Sequence, residues 1–175
     1  MVLRKAVEAD YAEIIDLANL AYRGREDAAA SWNIEKGIVA GSRLNDTLLR
    51  DELTAKSAGA LLVYREEADG PLLGTAWLNP ESDGVWSMGL LTIRPELQNQ
   101  QLGRRLLAAA ESYASDRGAK RMRIGVLHVR KTLIAWYERR GYRATGETEP
   151  FPTEDPRFGT PLQKNLRFLI MEKQI

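Results

Sequence analysis

Apolar residues recur at two different spacings along the chain, and these spacings separate predicted helices from predicted strands. The first predicted helix begins at Asp10, with Glu13 as its capping-box partner, and ends at Gly24. Further helices are predicted over residues 46–56, 102–117 and 132–140. Strands are predicted over residues 2–7, 60–65, 72–78, 85–93, 121–127, 142–146 and 166–172. The order β-α-α-β-β-β-α-β-α-β-β predicts an α/β fold of mixed α+β type, with helices on the faces of one sheet, in a single domain over residues 1–175.

The composition narrows the classes of function. The chain has 175 residues and a formal net charge of +1, so no broad electrostatic field indicates nucleic acid or an anionic membrane as a partner. It has no cysteine and one histidine, which excludes disulfides, a thiol nucleophile and a histidine-rich metal centre. The first residues, MVLRKAVEADYAEII, contain no long apolar run, so we expect neither a signal peptide nor a membrane span, and a cytoplasmic location.

A polar loop at the start of the longest helix is the first candidate site. The stretch PELQNQQLGRRLLAAAE, from Pro95 to Glu111, follows a strand and places one asparagine and three glutamines before the helix. A helix start presents unpaired N–H groups and the positive end of the helix dipole, which together favour phosphate. The loop lacks the Gly-Lys-Ser/Thr of a nucleotide-binding loop and the three spaced glycines of a dinucleotide fingerprint. A phosphate site and a merely solvated helix start both stay open at this point.

The same stretch resembles the phosphate loop of the GNAT family of N-acetyltransferases, Arg/Gln-x-x-Gly-x-Gly/Ala. The register falls on Gln98, Asn99, Gln100, Gln101, Leu102 and Gly103, in which the first and last positions match. Gln101 replaces the middle glycine, and glutamine suits this position if its φ stays negative, because its N–H can then still face the ligand. The resemblance implies that these six residues bind the pyrophosphate of acetyl-CoA as co-substrate, without a metal, and that Arg104 adds charge. For Arg105, a solvated surface position is the preferred interpretation.

A second stretch, RKTLIAWYERRGYRATGE from Arg130 to Glu147, resembles the family's Asn-x-x-Ala-x-x-x-Tyr-x-x-x-Gly-Phe/Tyr element. Tyr137, Gly141 and Tyr142 match, whereas Arg130 and Leu133 replace asparagine and alanine. The resemblance implies that Arg130 contacts the cofactor arm and that Tyr137 is a catalytic acid for the leaving thiolate. The alternative is a tyrosine whose ring only packs in the core.

The resemblance also implies a mostly antiparallel sheet in which the fourth and fifth main strands splay apart. Leu91, Thr92 and Ile93 would pair with the pantetheine arm through their backbone, and an N–H near Leu91 would polarise the acetyl carbonyl. A fully buried strand would have the same sequence, so the strand alone does not decide between them.

A dedicated base for the acceptor amine has no clear candidate. His128, at the end of a predicted strand, is the candidate catalytic proton acceptor, although a packed or solvated histidine is the commoner case. Five acidic residues could bind a cationic acceptor or be solvated loop charges: Glu26, Glu35, Glu149, Glu154 and Asp155. Specificity is expected in the loops 24–45 and 147–161, where Trp32, Phe151 and Phe158 would wall a pocket or cover sheet edges.

The sequence therefore predicts an acetyl-CoA-dependent N-acetyltransferase that works by direct transfer in a ternary complex, since a cysteine intermediate is excluded. The acceptor stays open among small amines, amino acids, antibiotics and peptide or protein amines, and a homodimer is one expectation from the family. Three alternatives stay open: a non-catalytic acyl-CoA-binding module, a transferase of another acyl group, and an unrelated nucleotide-binding protein.

Overall fold

A seven-stranded sheet forms the centre of the computed structural model, which describes residues 2–24 and 34–175. The helices are α1 (Tyr11–Arg23), α2 (Asp46–Ala55), α3 (Leu102–Ser115) and α4 (Lys131–Glu138). The strands are β1 (Val2–Lys5), β2 (Val39–Ala40), β3 (Ala60–Arg65), β4 (Leu72–Pro80), β5 (Val85–Ile93), β6 (Arg121–Leu127), β7 (Arg143–Pro150), β8 (Thr160–Pro161) and β9 (Arg167–Gln174). Three short 3-10 turns lie at Glu8–Asp10, Pro95–Leu97 and Pro156–Phe158.

The sheet is mixed and mostly antiparallel, as the sequence and the family resemblance predicted. Its strand order is β1-β3-β4-β5-β6-β9-β7, and only the β5–β6 pair is parallel. The predicted strand at 142–146 was too short, because β7 continues to Pro150. It does so through a break in register between Ala144 and Thr148, where Gly146 has a φ of 90°.

Helices cover both faces of the sheet. Side chains of each strand alternate between the two faces, so both faces offer apolar side chains on which helices pack. On one face, Leu106 and Ala110 of α3 pack with Leu62 of β3. On the other face, Ile14 of α1 and Leu49 of α2 pack in a separate cluster. The helices therefore hold the sheet from both sides and fix the position of the β5 end.

Asp10 does not cap α1, contrary to the sequence prediction. Its side chain makes no capping hydrogen bond to the helix and accepts instead from the Val7 backbone N–H at 2.8 Å. It also accepts from Arg4 at 2.7 Å and from Arg65 at 2.9 Å. The hydrogen bond from Arg4 is the main cause that holds the pKa of Asp10 well below its usual range. Two guanidinium partners outcompete the amides of the helix start, since charge-assisted hydrogen bonds are the stronger ones.

The sheet opens between β5 and β6. These strands pair from Val85 and Arg121 as far as Met88 and Ile124, although both continue beyond that point. Against β4, β5 has a bulge in which Leu90 takes a φ of 51°. The bulge sends the Leu90 side chain into the α1 side of the core and lets Leu91 pack on the α3 side. The expected splay is thus present, and the end of β5 lies along a gap.

Candidate active site

A first cleft of about 380 Å³ lies where the end of β5 meets the starts of α3 and α4. Nine of the residues predicted to bind the cofactor line it: Leu91, Thr92, Ile93, Gln98, Asn99, Gln101, Leu102, Gly103 and Arg104. Its opposite wall comes from α4 and the turn that follows it, through Leu133, Trp136, Tyr137 and Arg140. Two segments far apart in sequence therefore form one concave surface.

The loop before α3 is built from left-handed residues without glycine. Asn99 has a φ of 69° and Gln101 a φ of 61°, so the condition of a negative φ at Gln101 is not met. The side chain of Gln101, the N-cap residue, makes no capping hydrogen bond. The N–H groups in the first turn of a helix have no partner within the helix. Gly103 has ordinary helical geometry, and a methyl group there would meet Trp136 at 3.6 Å.

Arg140 brings an incompletely bonded cation to the first cleft. Its guanidinium carbon lies 3.5 Å from the centroid of the Trp136 ring, and Nη1 donates to the Trp136 carbonyl at 2.7 Å. Its buried Nε has no hydrogen-bond partner among the residues that the structure describes. Burial, followed by the like charges of Arg139 and Arg104, lowers the pKa of Arg140. An anion in the first cleft would accept a hydrogen bond from the Nε and would balance the buried positive charge.

Tyr137 lies between the first cleft and a second one. It is 7% exposed, and its ring packs edge-on against Trp136 and Tyr142, with centroids 5.0 and 5.3 Å away. Burial raises the pKa of Tyr137, so its hydroxyl keeps its proton at neutral pH. A phenol that keeps its proton can donate a hydrogen bond to a developing thiolate.

The second cleft, of about 150 Å³, lies on the other side of the gap between β5 and β6. It shares Leu91, Leu133 and Tyr137 with the first cleft. Phe151, Phe158 and Phe168 form an apolar wall, and the rings of Phe151 and Phe168 stack at 6.1 Å. The predicted pocket-walling role of Phe151 and Phe158 therefore has a matching location.

The two loops in which specificity was expected are joined to each other. β2 from the first loop pairs with β8 from the second, Val39 with Pro161 and Ala40 with Thr160. Gly159 makes this approach close, since a Cβ at Gly159 would lie 2.5 Å from the Ala40 carbonyl oxygen. Val39 of this small sheet packs in one cluster with Leu127 and Phe151, which line the second cleft.

Charged residues on the second cleft come from α1, from the loop after it and from the start of α4. Arg23 forms an ion pair with the buried Glu35, and its Nε donates to the Gly41 carbonyl at 2.6 Å. The Arg43 guanidinium lies over the Tyr22 ring, 5.0 Å from its centroid. Arg130, at the N-cap of α4, also lines this cleft. Sequence reasoning named Glu35 but gave no role to Tyr22, Arg23 or Arg43.

Three predicted site residues lie away from the first cleft. Arg130 lines the second cleft, and Gln100 is exposed on the outside of the loop. His128 lines neither cleft, and its Nδ1 lies 3.2 Å from the Arg167 carbonyl oxygen. Among the other acidic candidates, Glu149 and Glu154 are exposed, and Asp155 pairs with Arg157. Glu26 and Trp32 lie outside the described residues.

Two further observations bear on ligand classes. Within residues 2–24 and 34–175, no group of three or more His, Asp or Glu side chains is placed to hold a metal ion. In that same part of the chain, no helix is both long enough and apolar enough to cross a membrane.

A splayed parallel strand pair, a helix start facing its gap and a tyrosine between two clefts define an acyltransferase type of fold. A family model described as "Acetyltransferase (GNAT) family" matches residues 12–142, and the chain belongs to this family. The predicted family is confirmed. Mycothiol acetyltransferase of Rhodococcus jostii (strain RHA1) is 26% identical over 156 residues, which cover 79% of this chain and 50% of that protein. The chain thus spans about half the length of this relative.

Solved structures share the fold across nearly the whole chain. The ribosomal-protein-alanine N-acetyltransferase of Brucella melitensis has a TM-score of 0.70 at 19% identity and covers 100% of both chains. The PaiA N-acetyltransferase of Thermoplasma acidophilum, in complex with coenzyme A, has a TM-score of 0.71 at 18% identity and covers 99% of this chain and 98% of its own. YncA of Salmonella typhimurium, solved with acetyl-CoA, has a TM-score of 0.66 at 22% identity and covers 99% and 93%.

Proposed function

We propose that this chain transfers the acetyl group of acetyl-CoA directly to an amine acceptor in a ternary complex. The observation that carries the proposal is that two clefts meet at the gap between β5 and β6, with Tyr137 lining both. A thioester in one cleft and an amine in the other would approach each other at that tyrosine. The two solved neighbours with coenzyme A or acetyl-CoA support this choice of co-substrate.

The first cleft suits the phosphate and pantetheine parts of acetyl-CoA. The first-turn amides of α3 from Leu102 to Arg104 provide N–H donors and the positive end of the helix dipole. Arg104 and Arg140 add positive charge beside them. The backbone of Leu91 to Ile93, beyond the last β5–β6 pair, would hold the pantetheine amides and polarise the thioester carbonyl.

The chemistry requires one bond to form and one to break. The acceptor nitrogen forms a bond to the carbonyl carbon, the carbon–sulfur bond breaks, and the sulfur leaves as a thiolate. Tyr137 donates its hydroxyl hydrogen bond to that sulfur, and the surplus proton of the nitrogen passes to water. His128 keeps no part in this proposal because it lines neither cleft. Glu35 lines the second cleft, but its charge is compensated by Arg23.

The test combines ligand binding with transfer. Thermal unfolding would be followed with acetyl-CoA, free CoA, ATP and NAD at equal concentrations. A ligand at a hundredfold excess over its dissociation constant stabilises the folded state by roughly 2.7 kcal/mol. We expect both CoA forms, and neither ATP nor NAD, to raise the melting temperature, and thiol release to require an added amine. Binding without transfer to any amine would indicate a non-catalytic acyl-CoA-binding module, and competition by longer thioesters would reveal another acyl preference.

A further inference from the structure

We propose that the acceptor is a small amine that also carries a carboxylate, and that the arginines of the second cleft bind this carboxylate. The inference rests on the proposed acetyl transfer and specifies the acceptor of that reaction. Among the described residues that line the second cleft, Arg23, Arg43 and Arg130 are the cations and Glu35 is the one carboxylate. The whole chain has a net charge of only +1, so this positive charge is concentrated locally.

Two of the guanidinium groups are held in place before any ligand arrives. Arg23 is fixed by Glu35 and by the Gly41 carbonyl, and Arg43 by the face of the Tyr22 ring. A guanidinium held in one orientation can bind a carboxylate through two parallel N–H···O bonds with little further loss of freedom. The second cleft is therefore organised in advance for a planar anion.

The positive charge lies beside the proposed reaction centre. Burial raises the pKa of Tyr22, and the charges of Arg43, Arg130 and Arg23 act on the same phenol in the opposite direction. Tyr22 and Arg130 in turn act on Tyr137. All three arginines line the same cleft as Tyr137, so a carboxylate that they bind would share this cleft with the attacking nitrogen.

The size and the apolar wall of the second cleft narrow the class of acceptor further. The second cleft holds about 150 Å³, well below the roughly 300 Å³ at which drug-sized pockets begin. Its apolar wall of Phe151, Phe158 and Phe168 suits a hydrophobic side chain. An amino acid with an aromatic or aliphatic side chain matches each of these features. A polyamine would instead place additional positive charge among three guanidinium groups, which is unfavourable.

The experiment compares acceptors that differ only in the carboxylate. The probes are phenylalanine, phenylalaninamide and 2-phenylethylamine, then leucine and leucinamide, with spermidine as a polycation. KM and kcat would be measured from thiol release, and acetyl-CoA binding by calorimetry on the same preparation. We expect KM for each acid to be about tenfold or more below that of its amide, as for loss of a charge-assisted hydrogen bond. The amide has the less basic amine, so an advantage of the acid cannot come from the supply of neutral amine.

Variants locate the effect in the second cleft. Arg43→Gln should raise KM for the acids and leave KM for the amides and the affinity for acetyl-CoA unchanged. Arg117→Gln is the matched control, because Arg117 also lies over a tyrosine ring, 3.6 Å from the centroid of Tyr113, but lines neither cleft. The control should leave all of these constants unchanged.

Each opposite outcome has a separate meaning. Amides, 2-phenylethylamine or spermidine acetylated as well as the acids would overturn the carboxylate inference and leave the proposed acetyl transfer intact. Acetyl-CoA binding without transfer to any of the acids would also overturn it. Absence of acetyl-CoA binding in the unmodified protein would overturn the proposed function itself.

Discussion

The guanidinium of Arg140 lies over the Trp136 ring, 3.5 Å from its centroid, and donates to the carbonyl of the same residue. This pair holds a cation at the wall of the first cleft while its Nε stays without a partner in the described part of the chain. A buried donor without a partner is costly unless a ligand completes its bonding. A phosphate bound in the first cleft would therefore supply the missing hydrogen-bond partner of the Arg140 Nε.

Replacing this cation should weaken co-substrate binding. We expect Arg140→Gln to raise the dissociation constant of acetyl-CoA about tenfold, the effect of one lost charge-assisted hydrogen bond. The affinity should also become less sensitive to salt, since one phosphate contact is lost. Calorimetry at two ionic strengths measures both effects. Arg121→Gln removes an arginine paired with Glu172 away from the first cleft and should leave binding unchanged. An equal loss in both variants would remove Arg140 from the proposed site.

Tyr137→Phe should lower turnover without weakening acetyl-CoA binding. The expected fall in kcat is about a hundredfold or more, as for loss of a positioned acid. Because burial raises the pKa of Tyr137 above its ordinary value of 10.0, kcat of the unmodified enzyme should show no alkaline decline from this group below that pH. Tyr142→Phe is the control, because it loses only the 3.0 Å bond to Glu111 and should reduce stability rather than turnover. Unchanged kcat in Tyr137→Phe would exclude the proposed role.

Gly159→Ala should weaken binding of the acceptor in the second cleft. A methyl group at Gly159 would meet the Ala40 carbonyl at 2.5 Å and Val39 at 2.8 Å, and φ is 94°. Gly146→Ala is the matched control, because its φ is 90° with nothing within 4 Å. The control should lower the free energy of unfolding by about 1–2 kcal/mol, because alanine is unfavourable in a left-handed backbone. We expect a larger cost for Gly159→Ala and a raised KM for the acceptor, with acetyl-CoA affinity retained. Equal behaviour of the two variants would show that the β2–β8 pairing does not shape the second cleft.

The features that sequence could predict are those with a local physical signal. The bounds of β5 were predicted correctly, since its apolar run ends at Pro95, which cannot continue a ladder. The residues of the first cleft were predicted from the polar loop before α3 and from the family resemblance that Tyr137, Gly141 and Tyr142 carry. Both segments line this one cleft.

The features that sequence missed depend on long-range contacts. Asp10 was expected to cap α1, but Arg65, 55 residues away, binds it instead. The pairing of Val39 with Pro161 joins loops more than a hundred residues apart, with two-residue strands that have no periodicity. Arg23, Arg43 and Arg130 come from three segments and are neighbours only after folding, so the charge of the second cleft has no signature in any single stretch.

Asp10→Asn should reduce stability in a manner that depends on pH. The pKa of Asp10 is lowered in the folded state, so its contribution is complete above the ordinary value of 3.8 and is lost as pH falls towards the folded value. We expect the free energy of unfolding of the variant to be about 3 kcal/mol lower at pH 7, because the buried Arg65 loses one of its carboxylate partners. Urea unfolding at pH 7 and pH 3 should show the difference shrinking at the lower pH. The exposed Asp116→Asn is the control, and a difference independent of pH would contradict the linkage.

Gln101→Gly should stabilise the protein and keep the first cleft functional. Gln101 has a φ of 61° and its side chain is exposed, so it bears the cost of a left-handed backbone without packing that compensates it. Relief of this strain should raise the free energy of unfolding by roughly 1–2 kcal/mol. The greater freedom of glycine in the unfolded chain offsets part of this gain. The same substitution at Gln100, which is exposed and for which no positive φ is observed, should destabilise the protein slightly and is the control. Urea unfolding measures stability, and calorimetry with acetyl-CoA measures the site. If Gln101→Gly were stabilised but bound acetyl-CoA less tightly, the glutamine side chain would itself contact the co-substrate; if both properties were kept or improved, the loop would act through its backbone amides alone.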